Sequence, residues 1–167
     1  MIDYLITGCG GFVASHYLDF LRSTEFEGEV IGIGLSVPRS VPEELNFPFQ
    51  RLDMLDSHAL AALIKKTRPR YCVHLASMSS VAASWKTPKT SFVNNTNIFL
   101  NLVESVRETS PDTRVLSVGS SEQYARKSQR YGPLMEEDPT GPSSPYAVAR
   151  CAQEELGQTY ITGYGLD

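Results

Sequence analysis

Thr7-Gly8-Cys9-Gly10-Gly11-Phe12-Val13-Ala14 is the stretch on which the fold turns. Residues 2–7 just before it are a short β-rich run, the pattern of a buried parallel strand. Just after it, Val13, Tyr17, Phe20 and Leu21 recur at helical spacing and predict a helix over 12–22. Glycines between a strand and a helix let the backbone turn sharply and approach a pyrophosphate. The helix N-terminus then offers free N–H groups and a partial positive charge to that anion. Counted from Gly8 the spacing is G-x-x-G-x-x-A, with Ala14 where a third glycine often lies. Alanine is still small enough for close helix–strand packing. An ordinary tight turn also uses glycines, and it is the strand–turn–helix context of Gly8, Gly10 and Gly11 that points to a dinucleotide.

Outward from that turn, strand and helix patterns alternate. Glu29 to Ile33 reads as a second strand. Residues 56–67 start at a capping Asp56 and set Leu60, Leu63 and Ile64 on one helical face. Tyr71 to Ala76 is a third strand, and Phe92, Phe99, Leu100, Leu102, Val103 and Val106 mark a long helix over 89–108. Arg114 to Val118 is a fourth strand, and Ser143 or Ser144 caps a last helix with Pro145 in its first turn. Such alternation predicts an α/β fold: a Rossmann-type doubly wound parallel sheet with helices on both faces, as one domain over 1–167. In a sheet of order 3-2-1-4, the strand at 114–118 lies beside the first. Ser120, just past it, then faces the same cleft as the glycine turn. The one long irregular stretch is 124–143, and connections of that length are usually functional or disordered.

Composition narrows the class. Nineteen Asp and Glu against 15 Lys and Arg give a net charge of −4, with no basic block, which argues against nucleic acid and anionic membrane surfaces as partners. No apolar run approaches a membrane span, and a strand at residues 1–8 leaves no room for a signal peptide. Cys9, Cys72 and Cys151 are far apart, as are His16, His58 and His74, so neither a disulfide framework nor a metal site is expected. A soluble cytoplasmic protein is the starting expectation.

Two sets of residues bear on chemistry. A carboxylate at the end of the second strand would hold the ribose 2′-hydroxyl of NAD, but that end reads Gly34-Leu35-Ser36-Val37-Pro38-Arg39, with no acid. Ser36 and Arg39 are candidates for a 2′-phosphate, which favours NADP with NAD as the alternative. Arg39 reads equally well as a solvated loop charge. Tyr146 and Arg150 are four apart on the last helix and share a face. A phenol is a poor acid–base at neutral pH unless a cation stabilises its ionised form, and Arg150 is such a cation. On spacing alone the pair reads equally well as a packed tyrosine and a solvated arginine.

These residues, with Asp53 to Asp56, His74-Leu75-Ala76-Ser77, Ser84-Trp85 with Pro88, Asn94, Asn101 to Glu104, Val118 to Tyr124 and Ser144 to Arg150, span nearly the whole chain. Together they resemble the extended short-chain dehydrogenase/reductase family, and within it the nucleotide-sugar 4,6-dehydratases, epimerases and 4-ketoreductases. The Ser84–Pro88 and Gly119–Tyr124 stretches are most similar to the branch of GDP-4-keto-6-deoxy-mannose reductase and GDP-mannose 4,6-dehydratase. The resemblance implies that Gly8, Gly11, Phe12 and Val13 surround the pyrophosphate and that Asp53 and Met54 meet the adenine. Leu75, Ala76 and Ser77 would line the path to the nicotinamide ribose. Ser120 and Tyr146 would hold the reacting sugar oxygen, with Tyr146 as acid–base and Glu122 where dehydratases carry a base. The family's lysine four residues after the tyrosine is Arg150 here, which keeps the charge on a larger planar fork. Further strands and a sugar-nucleotide domain would follow Asp167. The expected activity is hydride transfer at sugar C4, with a 4-keto-6-deoxy-sugar reductase favoured over a dehydratase or a 4-epimerase. A GDP-sugar is the favoured substrate. A homodimer through 89–108 and 144–160 is also implied. A non-catalytic dinucleotide-binding module is the rival of another class.

Overall fold

The computed structural model describes residues 1–38, 47–125 and 132–167. The elements run β1 (Tyr4–Thr7), α1 (Phe12–Ser23), β2 (Val30–Gly34), β3 (Phe49–Arg51), α2 (Ser57–Thr67), β4 (Tyr71–His74), α3 (Val81–Lys86), α4 (Pro88–Thr109), β5 (Arg114–Ser117) and α5 (Pro145–Tyr164). A single 3₁₀ turn, Ser121–Gln123, follows β5. The five strands form one parallel sheet in the order β3-β2-β1-β4-β5. Leu5 and Ile6 of β1 are both fully buried, because helices cover the central strands on both faces. On one face, Leu5 and Cys72 pack with Leu60 and Ile64 of α2, Phe99 and Leu102 of α4 and Tyr160 of α5. On the other, Ile6 and Val73 pack with Ala14, Leu18 and Leu21 of α1.

Local chemistry explains the helix ends. The Asp56 carboxylate accepts from Ala59 N at 3.0 Å and starts α2, and the Ser144 hydroxyl accepts from Ala147 N at 3.1 Å and starts α5. The αL conformation of Gly165 then ends α5.

Two expectations are corrected. Phe49–Arg51 shows no strand pattern in the sequence, since three residues with only one of them apolar carry no alternation to detect; it takes the third place in the sheet. As a consequence β4 lies beside β1, and the strand at 114–117 lies one place further out and does not pair with β1. The long helical pattern is also preceded by a separate short helix, α3. Its cap is Ser80, whose hydroxyl accepts from Ala83 N at 3.1 Å. Part of the irregular stretch 124–143 lies outside the described residues; within the rest, Tyr124 and Thr140 form an isolated antiparallel bridge.

Candidate functional site

The chain leaves β1 at Thr7 and enters the left-handed region at Gly8, with φ of +66°. A Cβ on Gly8 would lie 2.6 Å from the Ala76 backbone nitrogen, so both conformation and space demand glycine there. A Cβ on Gly10 would lie 2.4 Å from Ser36 Oγ and 2.5 Å from Ser36 O. Gly11 opens α1 and brings no side chain to cap it. The first-turn N–H groups of that helix are therefore left for an anion.

Around the turn is a cleft of about 610 Å³. Gly8, Gly10, Gly11, Phe12 and Val13 form one wall, Leu35 and Ser36 extend from the end of β2, and Asp53 and Met54 follow β3. Leu75, Ala76 and Ser77, just after β4, form the opposite wall. Gly8, Gly10, Gly11 and Ser36, singled out by the sequence pattern, and Phe12, Val13, Asp53, Met54, Leu75, Ala76 and Ser77, implied by the family resemblance, all line this cleft. Arg39 lies outside the described residues. The cradle fits a dinucleotide: bare backbone at the helix start for the pyrophosphate, and apolar walls with one carboxylate, Asp53, for the rest.

Three polar side chains, Thr7 and Asn95 buried and Asn101 half-buried, hold those walls. Thr7 Oγ1 accepts from the N–H groups of Leu75 and Ala76 at 3.2 and 3.1 Å. Its own hydrogen is therefore directed to His74 Nδ1, 2.9 Å away, which leaves the imidazole proton on Nε2. Asn95, on α4 and 1% exposed, accepts from Met78 N at 2.8 Å and donates to Met78 O at 3.2 Å. Asn101, two turns further on, donates to Met54 O at 2.9 Å. Asn95 is absent from the residues that the sequence pattern singles out. The signal was present, since an asparagine in the apolar stripe of a long helix demands a buried partner.

The second constellation lies elsewhere. Tyr146 and Arg150 are both buried on α5. The Arg150 Nε–H donates to Tyr146 Oη at 3.1 Å, so the solvated-arginine alternative does not hold. Arg150 Nη1 also donates to Gln153 Oε1 at 2.7 Å and to Val118 O at 3.1 Å. Ser120 Oγ accepts from Glu122 N at 3.2 Å and caps the 3₁₀ turn, while Gln123 Oε1 accepts from Ser120 N at 2.6 Å. Gln123 in turn donates to Glu154. Glu122 itself is exposed.

Ser120 and Arg150 border a cavity of about 470 Å³ between β5 and α5. β4, whose end carries Leu75, Ala76 and Ser77 of the glycine cleft, stands between β1 and β5.

Burial sets the charge states nearby. His74 is pushed down to about 3, first by burial and then by the Arg150 charge, so it is neutral, and its Nε2 has no partner among the described residues. Burial pushes the thiols of Cys9 and Cys72 up to about 11 and about 12, which makes them inert as nucleophiles. No described helix is long and apolar enough to cross a membrane.

Comparison with known proteins places this arrangement. A model of the NAD dependent epimerase/dehydratase family matches residues 4–167. A UDP-glucuronate 4-epimerase of Thermodesulfobacterium geofontis (strain OPF15) is 30% identical over 98% of this chain and 53% of its own length. A probable dTDP-glucose 4,6-dehydratase of Sinorhizobium fredii (strain NBRC 101917 / NGR234) is 27% identical over 97% of this chain and 50% of its own. The crystal structure of a Thermus thermophilus UDP-glucose 4-epimerase in complex with NAD superposes with a TM-score of 0.87 at 27% identity, covering 99% of this chain and 52% of that one. The chain thus spans about half the length of the curated relatives it matches.

Proposed function

The chain belongs to the NAD dependent epimerase/dehydratase family, and from that premise we propose that residues 1–167 are the dinucleotide-binding domain of an enzyme that exchanges hydride with C4 of a nucleotide sugar. The observation that carries this reading is the glycine cradle, where Gly8, Gly10 and Gly11 face Leu75, Ala76 and Ser77 across one cleft. When bound there, the nicotinamide supplies the hydride acceptor or donor. Gly11, Phe12 and Val13 present their backbone to the pyrophosphate, and Asp53 and Met54 meet the adenine. Tyr146 carries the proton to or from the sugar oxygen, with Arg150 bonded to its phenol as the cation. Ser120 supplies a hydrogen bond to the same oxygen.

We assign the choice of dinucleotide to the end of β2. No carboxylate stands at Leu35, Ser36 or Val37 to hold a ribose 2′-hydroxyl or to repel a 2′-phosphate, so NADP is accepted at least as well as NAD. Epimerase and dehydratase chemistry both begin with hydride leaving C4, and the relatives are named for UDP- and dTDP-sugars. Those sugars are the first substrates to test. The GDP-linked 4-keto-6-deoxy-sugar reductase reading rests on the Ser84–Pro88 and Gly119–Tyr124 stretches alone. Glu122 is the base that dehydration would require.

The test has two stages on the full-length gene product. NADH and NADPH titrations report the cleft. Turnover of UDP-glucose, UDP-glucuronate, dTDP-glucose and GDP-4-keto-6-deoxy-mannose, in wild type and Tyr146→Phe, reports the chemistry. Loss of about 10²-fold or more in Tyr146→Phe is expected. Dinucleotide binding with no turnover of any sugar would favour the non-catalytic module.

A further inference from the structure

Tyr146, Arg150 and Gln153 stand at i, i+4 and i+7 on α5, which places all three on one helical face, and all three are buried. Gln153 is fixed from the strand side. Its amide NH₂ donates to Ser117 Oγ at 2.7 Å and to Val118 O at 3.3 Å. An amide held through its nitrogen has its oxygen direction decided, and that oxygen accepts from Arg150 Nη1 at 2.7 Å. The Val118 carbonyl takes the same Nη1 at 3.1 Å. A guanidinium is a rigid plane, so two acceptors on Nη1 set where Nε points, and it points at Tyr146 Oη. A lysine ammonium has no such fork and would not be steered in this way.

We propose that Gln153 is a positioning residue: with the Val118 carbonyl, it turns the Arg150 guanidinium onto the Tyr146 phenol. The proposal rests on the reading of Tyr146 as the proton carrier. Arg150 borders the cavity between β5 and α5, and its charge is felt at His74 at the end of β4. The bulk that makes arginine a poor replacement for lysine at a ribose is accommodated because the fork has acceptors of its own, one of them supplied by Gln153.

The experiment follows the Arg150 Nε–H by ¹⁵N NMR, with the resonance assigned by its disappearance in Arg150→Lys, alongside an NADH titration and a melting curve for each variant. Gln153→Leu is expected to speed solvent exchange of that proton by about tenfold or more, since the guanidinium loses its strongest acceptor. Gln153→Glu keeps the acceptor and is expected to keep the proton protected, a rescue that a merely space-filling role would not produce. Unchanged exchange in a Gln153→Leu protein that melts as the wild type does overturns the proposal. If Gln153→Leu does not fold, Gln153→Asn, one methylene shorter, withdraws the acceptor with little change of volume and is judged by the same exchange criterion. A wild type that binds no NADH defeats the proposed function, while the exchange measurement still decides the positioning role.

Discussion

Three glycines share the turn, and they differ in what a side chain would do. Gly8 and Gly10 are hemmed in by backbone, so substituting them tests the fold as much as the cleft. A Cβ on Gly11 would meet only Gly8 O, at 3.1 Å, and φ is −86° there. Gly11→Val is therefore expected to leave the fold intact while its methyls occupy the pyrophosphate position. NADH fluorescence titration with a circular dichroism melt checks this, and an unchanged Kd in a folded variant would remove the pyrophosphate from Gly11. The end of β2 gives a second expectation at this scale. Wild type should bind NADPH at least as tightly as NADH, and Leu35→Asp should move the preference to NADH by adding a ribose acceptor and repelling a 2′-phosphate. A wild-type preference for NADH beyond about tenfold, roughly 1.4 kcal/mol, would show that another residue reads the ribose.

At the scale of the element, α4 acts as a clamp on the cleft. Its apolar residues Ile98, Phe99, Leu102 and Val106 bury the helix against the sheet. Asn95 and Asn101 then reach from it to the two loops that rim the dinucleotide cleft. Removing Asn95 strands the half-buried N–H and carbonyl of Met78. Asn95→Ala should cost about 1–3 kcal/mol in urea unfolding and should also weaken NADH binding, because the Ser77–Met78 wall loses its tie. A stability loss with unaltered affinity would make Asn95 a core residue and nothing more.

The whole molecule carries a pH signature through His74. Its pKa in the fold, about 3, is depressed from the ordinary 6.5, so folding favours the neutral ring. That contribution is complete above pH 6.5 and is lost as pH falls toward 3, with a limiting slope of about 1.4 kcal/mol per pH unit. Urea unfolding between pH 5 and 7.5 should show stability rising with pH, and His74→Asn should flatten the curve. A wild-type curve already flat in that window would mean that the imidazole finds a proton acceptor in the fold. Assembly is the other property at this scale. Phe92 and Val93 on α4 and Val148, Ile161 and Tyr164 on α5 are large apolar side chains left exposed. We expect these helices to pair with a second copy, with Phe92→Glu raising the dimer dissociation constant by about tenfold or more in sedimentation equilibrium. A wild type that is monomeric at high concentration would refute the pairing.

What the sequence determined by itself was the local chemistry. The glycine turn, the capping Asp56, a serine cap at 143 or 144, the helical stripes and the parallel α/β alternation are read from neighbours within a turn or two, where backbone conformation and burial period leave a direct imprint. The gathering of Gly8 to Val13 with Asp53, Met54 and Leu75 to Ser77 was implied by the family resemblance and not by the spacing of these residues. Only the tertiary structure decided the rest. Phe49–Arg51 becomes a strand through pairing with β2 and not through any pattern of its own. β4 then takes the place beside β1, and β5 lies one position further out. Where the Arg150 fork points depends on Gln153, on the Val118 carbonyl, and through Gln153 on Ser117, and these groups meet only after α5 has docked on β5. A long cation on a helix has many rotamers of similar energy, and the acceptors that choose among them are distant in the chain and near only in the fold.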